Sequence, residues 1–288
     1  MPHQPWEPHL FPDAAPLASS VFSPLATPTP ATAASSSGQL PVTPSLGAAI
    51  AVLLLLAFAI TAVAHLGHGR AVLLAGVRAA LQLLVVAVVI TQVVDHWWAS
   101  LLFIAVMYAV AVVTASGRVV GAVYHPWIAV PVLAATIPVL AVLVAVRIVP
   151  FEGLVLIPIA GSQLGGAMTA TVLSGRRALE ELALRHGEVE AALSLGFLDR
   201  DARMEICRPA ASGALIPALD QTRTVGLVTL PGAFVGMLLG GASPWNAGAV
   251  QLFVLIALLA VEAAAIAVTV ELIARGRIAR PRTAGAAT

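Results

Sequence analysis

The chain has 288 residues, of which 59% are hydrophobic and 10% charged, with a formal net charge of +1. An average soluble domain carries about 25% charged residues, so a soluble globule of this length is excluded, because too little polar surface exists to coat it. The near-zero charge and the 5% aromatic content also exclude an electrostatic or stacking platform for nucleic acid.

In chain order, residues 1–45 are rich in Pro, Ala, Ser and Thr. Such a segment has little to bury, and a disordered tail is expected. Residues 46–275 then read as a transmembrane domain of continuous apolar runs. Seven spans are expected, at about 47–65, 71–94, 97–116, 126–146, 154–174, 215–240 and 247–273. Each covers a hydrocarbon core of about 30 Å at about 1.5 Å per residue. The runs do not alternate, which argues against β spans. The expected fold is an all-α polytopic membrane bundle.

The arginines orient it. Arg70 and Arg118 follow the first and third spans. Six arginines (176, 177, 185, 200, 203 and 208) follow the fifth, and Arg275, Arg277, Arg280 and Arg282 lie beyond the seventh. The remaining loops hold Arg147 or none. Positive charge marks the cytoplasmic side, so the N-terminus is expected outside and the basic tail 276–288 in the cytoplasm. Trp97, Trp98, Trp127 and Trp245 fall at span ends, as interfacial anchors do.

No lysine occurs in the chain. A P-loop needs one to reach nucleotide phosphates, so ATP-driven work has to come from a partner that binds the ATP and magnesium. The single cysteine, Cys207, rules out an internal disulfide or a cysteine metal cluster. His65 and His68 have no carboxylate or thiol nearby in sequence and read as surface residues. We expect no metal site, no bound cofactor and no catalytic group.

One polar segment stands out, 175–210, between the fifth and sixth spans. It reads as a helix over Arg176–His186, an interruption at Gly187, a short helix over Glu188–Leu195, then Gly196 and an acidic turn at Asp199–Asp201. Glu190-Ala191-Ala192, followed by Gly196, Ile206 and Pro209 at fixed spacing, resembles the EAA motif of ABC importer-type permeases, with Arg208 where that motif has leucine. The resemblance implies a coupling helix that docks in a groove of an ATP-binding subunit. Small alanines permit close packing, Gly196 permits a sharp exit, and Pro209 is expected to open the returning helix.

A second stretch runs from Asp220-Gln221-Thr222-Arg223-Thr224 through Gly226-Leu227-Val228-Thr229-Leu230-Pro231-Gly232 to Gly236. It is similar to the FetB/YbbM permease family, which includes iron-export permeases of bacteria and aluminium-tolerance permeases of plants. Arg78, Gln82, Gln251 and the Gly240–Pro244 turn resemble the family too. Thr229 replaces a serine of the family, and Gly165–Ala170, which includes Met168, lacks two asparagines of its relatives. The resemblance implies an ABC permease that exports a metal ion such as iron. It would work as a homodimer in the inner (plasma) membrane, with a separate ATP-binding subunit.

Intramembrane polar groups are the candidate path. Leu230-Pro231-Gly232 should kink or break the sixth span, either as a pathway element or as a packing kink. Glu262 needs a partner or a cavity, and Arg78 is the nearest cation to offer; their pair would be a clamp or part of the path. Asp220 and Arg223 are spaced to pair. Gln163, Thr169, Thr171 and Thr229 either line the pathway or tie helices together. A secondary transporter or channel acting alone is the competing reading, although the two halves carry no evident internal repeat.

Overall fold

In lipid every backbone amide must find its partner within its own segment, and long apolar helices meet that demand. A computed structural model describes residues 43–93, 96–146 and 153–280. Ten α-helices occur among them: α1 Pro44–Val63, α2 Gly69–Val93, α3 Trp97–Val119, α4 Pro126–Ala145, α5 Gly153–Leu184, α6 His186–Ser194, α7 Asp199–Ser212, α8 Ile216–Thr224, α9 Gly232–Leu239 and α10 Pro244–Ala274. Of these, α1, α2, α3, α4, α5 and α10 are long and apolar enough to cross a membrane. The chain is a polytopic helical membrane protein. Most of the tail expected over 1–45, with Arg147 and Arg282, lies outside the described residues.

α5 and α10 form the central pair, with α3, α4 and α7 packed around them. Small residues allow the contact. A side chain at Gly166 would strike Leu258 and Glu262 of α10, and one at Gly175 would lie 2.9 Å from Val119 and 3.5 Å from Thr269. Such close backbone approach is how helices associate where lipid removes the hydrophobic driving force. The α1–α2 hairpin is peripheral, and neither helix contributes a buried residue.

Four expectations need correction. The fifth span does not end near Ser174: α5 continues to Leu184, ten residues further. The interruption falls at Arg185 (φ −106°, ψ 30°), not at Gly187, which sits inside α6. A glycine in the first turn costs a helix little, because the amides there have no intrahelical partner. Asp199 and Asp201 are not a turn but the first turn of α7, where carboxylates complement the helix dipole. Pro209 lies within α7 rather than opening a helix; Pro217 takes that place in α8.

The sixth span is two half-helices, α8 and α9. The break, expected at Pro231, extends over Val225–Pro231. Gly226 takes φ +82°, and the Thr224 carbonyl accepts from the amides of Leu227, Val228 and Thr229 at 3.3, 2.9 and 3.3 Å. These bonds satisfy backbone that leaves the helix. Gly166 of α5 meets Glu262 of α10 and Gly175 meets Thr269, so the two helices run parallel and α10 begins at the end of the bundle opposite the C-terminal end of α5. The chain from α7 to α10 therefore crosses once, through the broken pair. Seven spans were expected; among the described residues six helices are long and apolar enough to cross, and the stretch expected as the sixth span is the short helices α8 and α9.

Candidate functional site

Chemistry-bearing residues gather in two places, a hinge at the charged end of the bundle and a polar lane within it. The hinge is α6, its exit turn and α7. Val189 of α6 is buried against Ala202 and Ile206 of α7, with Leu182 and Ala192 alongside. The exit at Gly196 (φ +92°) is a Schellman motif: the Phe197 amide donates to the Ala192 carbonyl at 3.1 Å and the Gly196 amide to Leu193 at 3.0 Å. A side chain at Gly196 would be strained by that φ. Glu190 and Ala191 are exposed, and His186 Nδ1 lies 3.3 Å from a Glu190 carboxylate oxygen.

Around this turn Leu195 and Leu198 are 80% and 72% exposed, and Leu193 and Phe197 are also exposed. The motif reading overlooked these residues. Their signal was present in sequence, as an apolar run inside the most charged segment of the chain.

Arginines bolt the hinge to the bundle. Arg200 of α7 donates from Nε and Nη2 to both carboxylate oxygens of Glu271 on α10, at 2.8 and 2.6 Å, and from Nη1 to Asp201 at 2.8 Å. Arg275 donates to the same Glu271 at 2.6 Å. The hydrogen bond to Glu271 raises the Arg200 guanidinium above its ordinary range. Arg280 joins Glu180 on the extension of α5 at 3.1 Å. Beside Arg280, Ile278 is buried in the core below α7. Arg185 donates to Glu188, which holds that carboxylate below its ordinary range. Pro209 is exposed on α7, and the buried thiol of Cys207 is pushed up to about 11 by desolvation.

The polar lane follows α8 and the α5–α10 contact. Arg223 lies 3.9 Å from Asp220, as its spacing suggested, and both are exposed. Gln221 is exposed, and Thr222 donates back to the Ala218 carbonyl at 2.8 Å. Thr229 lies in the break, its carbonyl accepting from Gly226 at 2.8 Å; Pro231 precedes α9 and Gly232 opens it.

Gln163 on α5 is fully buried with both amide atoms unpartnered, and Thr171 Oγ1 and Gln251 Oε1 are also unpartnered. Gln251 lines a small cavity with Val225, Pro231 and Phe234, where the broken crossing meets α10. Thr169 is exposed. Gln82 and Met168 share an apolar groove of about 550 Å³ between α2, α3 and α5.

The proposed pair of Arg78 with Glu262 is not made. Arg78 is exposed on α2, which packs on α1 and α3, whereas Glu262 is buried on α10 against Gly166 of α5. Intramembrane charge alone did not reveal which helices touch. No group of three or more His, Cys, Asp or Glu that could hold a metal occurs among the described residues.

The described residues form a polytopic helical bundle with a broken helix pair, α8 and α9, and an apolar-tipped hinge. The chain belongs to the UPF0014 family, described as an uncharacterised protein family, whose model matches residues 45–277. It is 36% identical over 203 residues to the UPF0014 membrane protein STAR2 of rice, covering 69% of this chain and 71% of that protein. It is 39% identical over 124 residues to the protein ALUMINUM SENSITIVE 3 of Arabidopsis thaliana, covering 43% and 45%. It is 35% identical over 120 residues to the probable iron export permease protein FetB of Escherichia coli, covering 42% and 46%. These relatives bear out the family resemblance carried by Asp220–Gly236. No solved structure matches the chain.

Proposed function

We propose that this chain is the membrane-spanning permease subunit of an ABC exporter, driven by a separate subunit that binds ATP and magnesium. One observation carries the reading: the hinge around Glu190–Gly196 presents Leu193, Leu195, Phe197 and Leu198 to solvent at the arginine-rich end of the bundle. Exposed apolar clusters rimmed by polar residues mark protein docking sites. The absence of lysine, which a P-loop needs, supports a reading in which nucleotide chemistry belongs to a separate subunit.

In this reading the arginine-rich end faces the cytoplasm of a plasma membrane and the N-terminus lies outside. Two copies of the chain work with two ATP-binding subunits. Closure of those subunits moves α6, and the Arg200–Glu271–Arg275 cluster passes the motion to α10. The polar lane along α8, Gln163 and Glu262 then opens alternately to the two sides. Similarity to the probable iron export permease FetB supports a metal ion such as iron as the substrate. The protein itself is a transporter subunit and not an enzyme.

The test is transport of ferrous or ferric ion in liposomes. The expected result is transport only when the ATP-binding subunit and ATP are both present. Transport by this chain alone would instead favour a secondary transporter or channel.

A further inference from the structure

Without the Glu262 pair, Arg78 is a full charge on a membrane-crossing helix with nothing to answer it. It is exposed on α2 and makes no hydrogen bond or ion pair among the described residues. α1, α2 and α3 carry no Asp or Glu, and α5 carries none before Glu180. The helices around Arg78 therefore offer it no counter-charge. An intramembrane cation left alone is costly, and such groups pair or reach water.

Arg78 also has a definite place. Leu81, Gln82, Val85 and Val86 follow it at i+3, i+4, i+7 and i+8, which is one face of a helix. Those four residues form one wall of the apolar groove of about 550 Å³ between α2, α3 and α5. The other walls run over 103–111 of α3 and 161–168 of α5, a length of about 12 Å along α3. Arg78 stands one turn beyond the end of this groove, on the groove's own face. Helical side chains lean toward the N-terminus, here the Arg70 end of α2, and a long arginine can carry its charge from the apolar layer toward the surface. The layout is that of an amphiphile, with apolar walls along the groove and a free cation past one end, on the surface side.

The size of the groove bears on its occupant. A helix is 10–12 Å across, so a 12 Å length of one fills about 1,000 Å³ or more, and a helix of a second copy does not fit. The groove lies between membrane-crossing helices, where lipid is the molecule at hand. We infer that the groove holds an acyl chain of an anionic phospholipid whose phosphate binds Arg78, so that one lipid joins the α1–α2 hairpin to α3 and α5. Neither α1 nor α2 contributes a buried residue, and the lipid supplies packing that the hairpin lacks against the bundle. The inference does not depend on the permease reading.

The test reads retained lipid. The full chain is held in nanodiscs of equal parts phosphatidylglycerol and phosphatidylcholine, released into mild detergent and weighed by native mass spectrometry. The expected result is one phosphatidylglycerol per chain, preferred over phosphatidylcholine by about fivefold or more. Arg78→Gln is expected to lose that preference and Arg78→Lys to keep it. A Cβ at Gly165 meets nothing within 4 Å, so Gly165→Leu fills the groove and is expected to release the lipid with helical content unchanged by circular dichroism. Glycerol phosphate, a headgroup without a tail, is expected not to compete. Unchanged preference in Arg78→Gln, or lipid retained by Gly165→Leu, would overturn the inference. So would lipid-independent loss of self-association in Arg78→Gln, which would assign the counter-charge to a second copy.

A measurement on the native chain guards against misfolded variants. Phosphatidylglycerol with a photoreactive group on its acyl chain is expected to attach to segments 103–111 and 161–168. Attachment spread over the exposed faces of α1 and α2, with no enrichment in those segments, would also overturn the inference.

Discussion

The hinge and the broken crossing are mis-patterned in opposite senses. The hinge lies outside the long apolar spans and exposes leucine and phenylalanine, whereas α8 lies among those spans and exposes aspartate and arginine. Each surface is costly in the solvent that surrounds one isolated copy. Each becomes reasonable once another protein covers it. The difference teaches that both surfaces are exposed against the pattern of their surroundings, an apolar tip beside the charged segment and a charged stripe among the apolar spans.

The largest effect should come from the turn that aims the apolar tip. Gly196→Arg forces a side chain into φ +92°, a conformation that costs about 1–2 kcal/mol per L-residue, and it sets a cation among Leu193, Leu195 and Phe197. Association with the ATP-binding subunit, measured by co-purification, is expected to disappear while the helical fold, read by circular dichroism, survives. Loss of both together would trace the effect to folding and not to the docking surface.

Next comes Glu271→Gln. It removes the charge that Arg200 and Arg275 share. Arg200 and Arg275 are exposed and Glu271 is half-buried, so the stability loss is expected at about 1 kcal/mol. The subunit should still bind, but ATP hydrolysis should no longer be tied to transport. Full coupling in this variant would show that motion reaches α10 by another route.

The smallest effect on partner binding and coupling is expected from Gly166→Val, which overpacks the contact of α5 with Leu258 and Glu262. A cost of about 1–3 kcal/mol is expected, read as a lower melting temperature in detergent, with partner binding at the hinge unchanged.

The sequence was informative where solvent dictates residue type. Apolar length located the helices. Fixed spacing marked Glu190, Gly196 and the break before Gly232. It was silent where the outcome depends on which helices touch. Arg78 and Glu262 were matched as the two charges available, but α2 stays at the periphery while Glu262 faces Gly166. The extension of α5 to Leu184 was also hidden, because a polar helix beyond a span resembles a new element. Gly187 and Pro209 read as breakers yet sit inside helices: one lies in a first turn with spare amides, and the other on an exposed face of α7. The Arg200–Glu271 bond joins residues seventy-one positions apart, and no local pattern announces it.

The most direct test of the hinge as the lever is thiol accessibility at Leu195→Cys. The native Cys207 leaves a quiet background, because it is buried and its thiol is pushed up to about 11; little thiolate exists near pH 7, and reactivity would appear only as pH rises toward that value. The expected result is labelling of Leu195→Cys by a membrane-impermeant reagent from the cytoplasmic face alone, blocked when the ATP-binding subunit is present. Labelling from the external face, or labelling indifferent to that subunit, would contradict the lever.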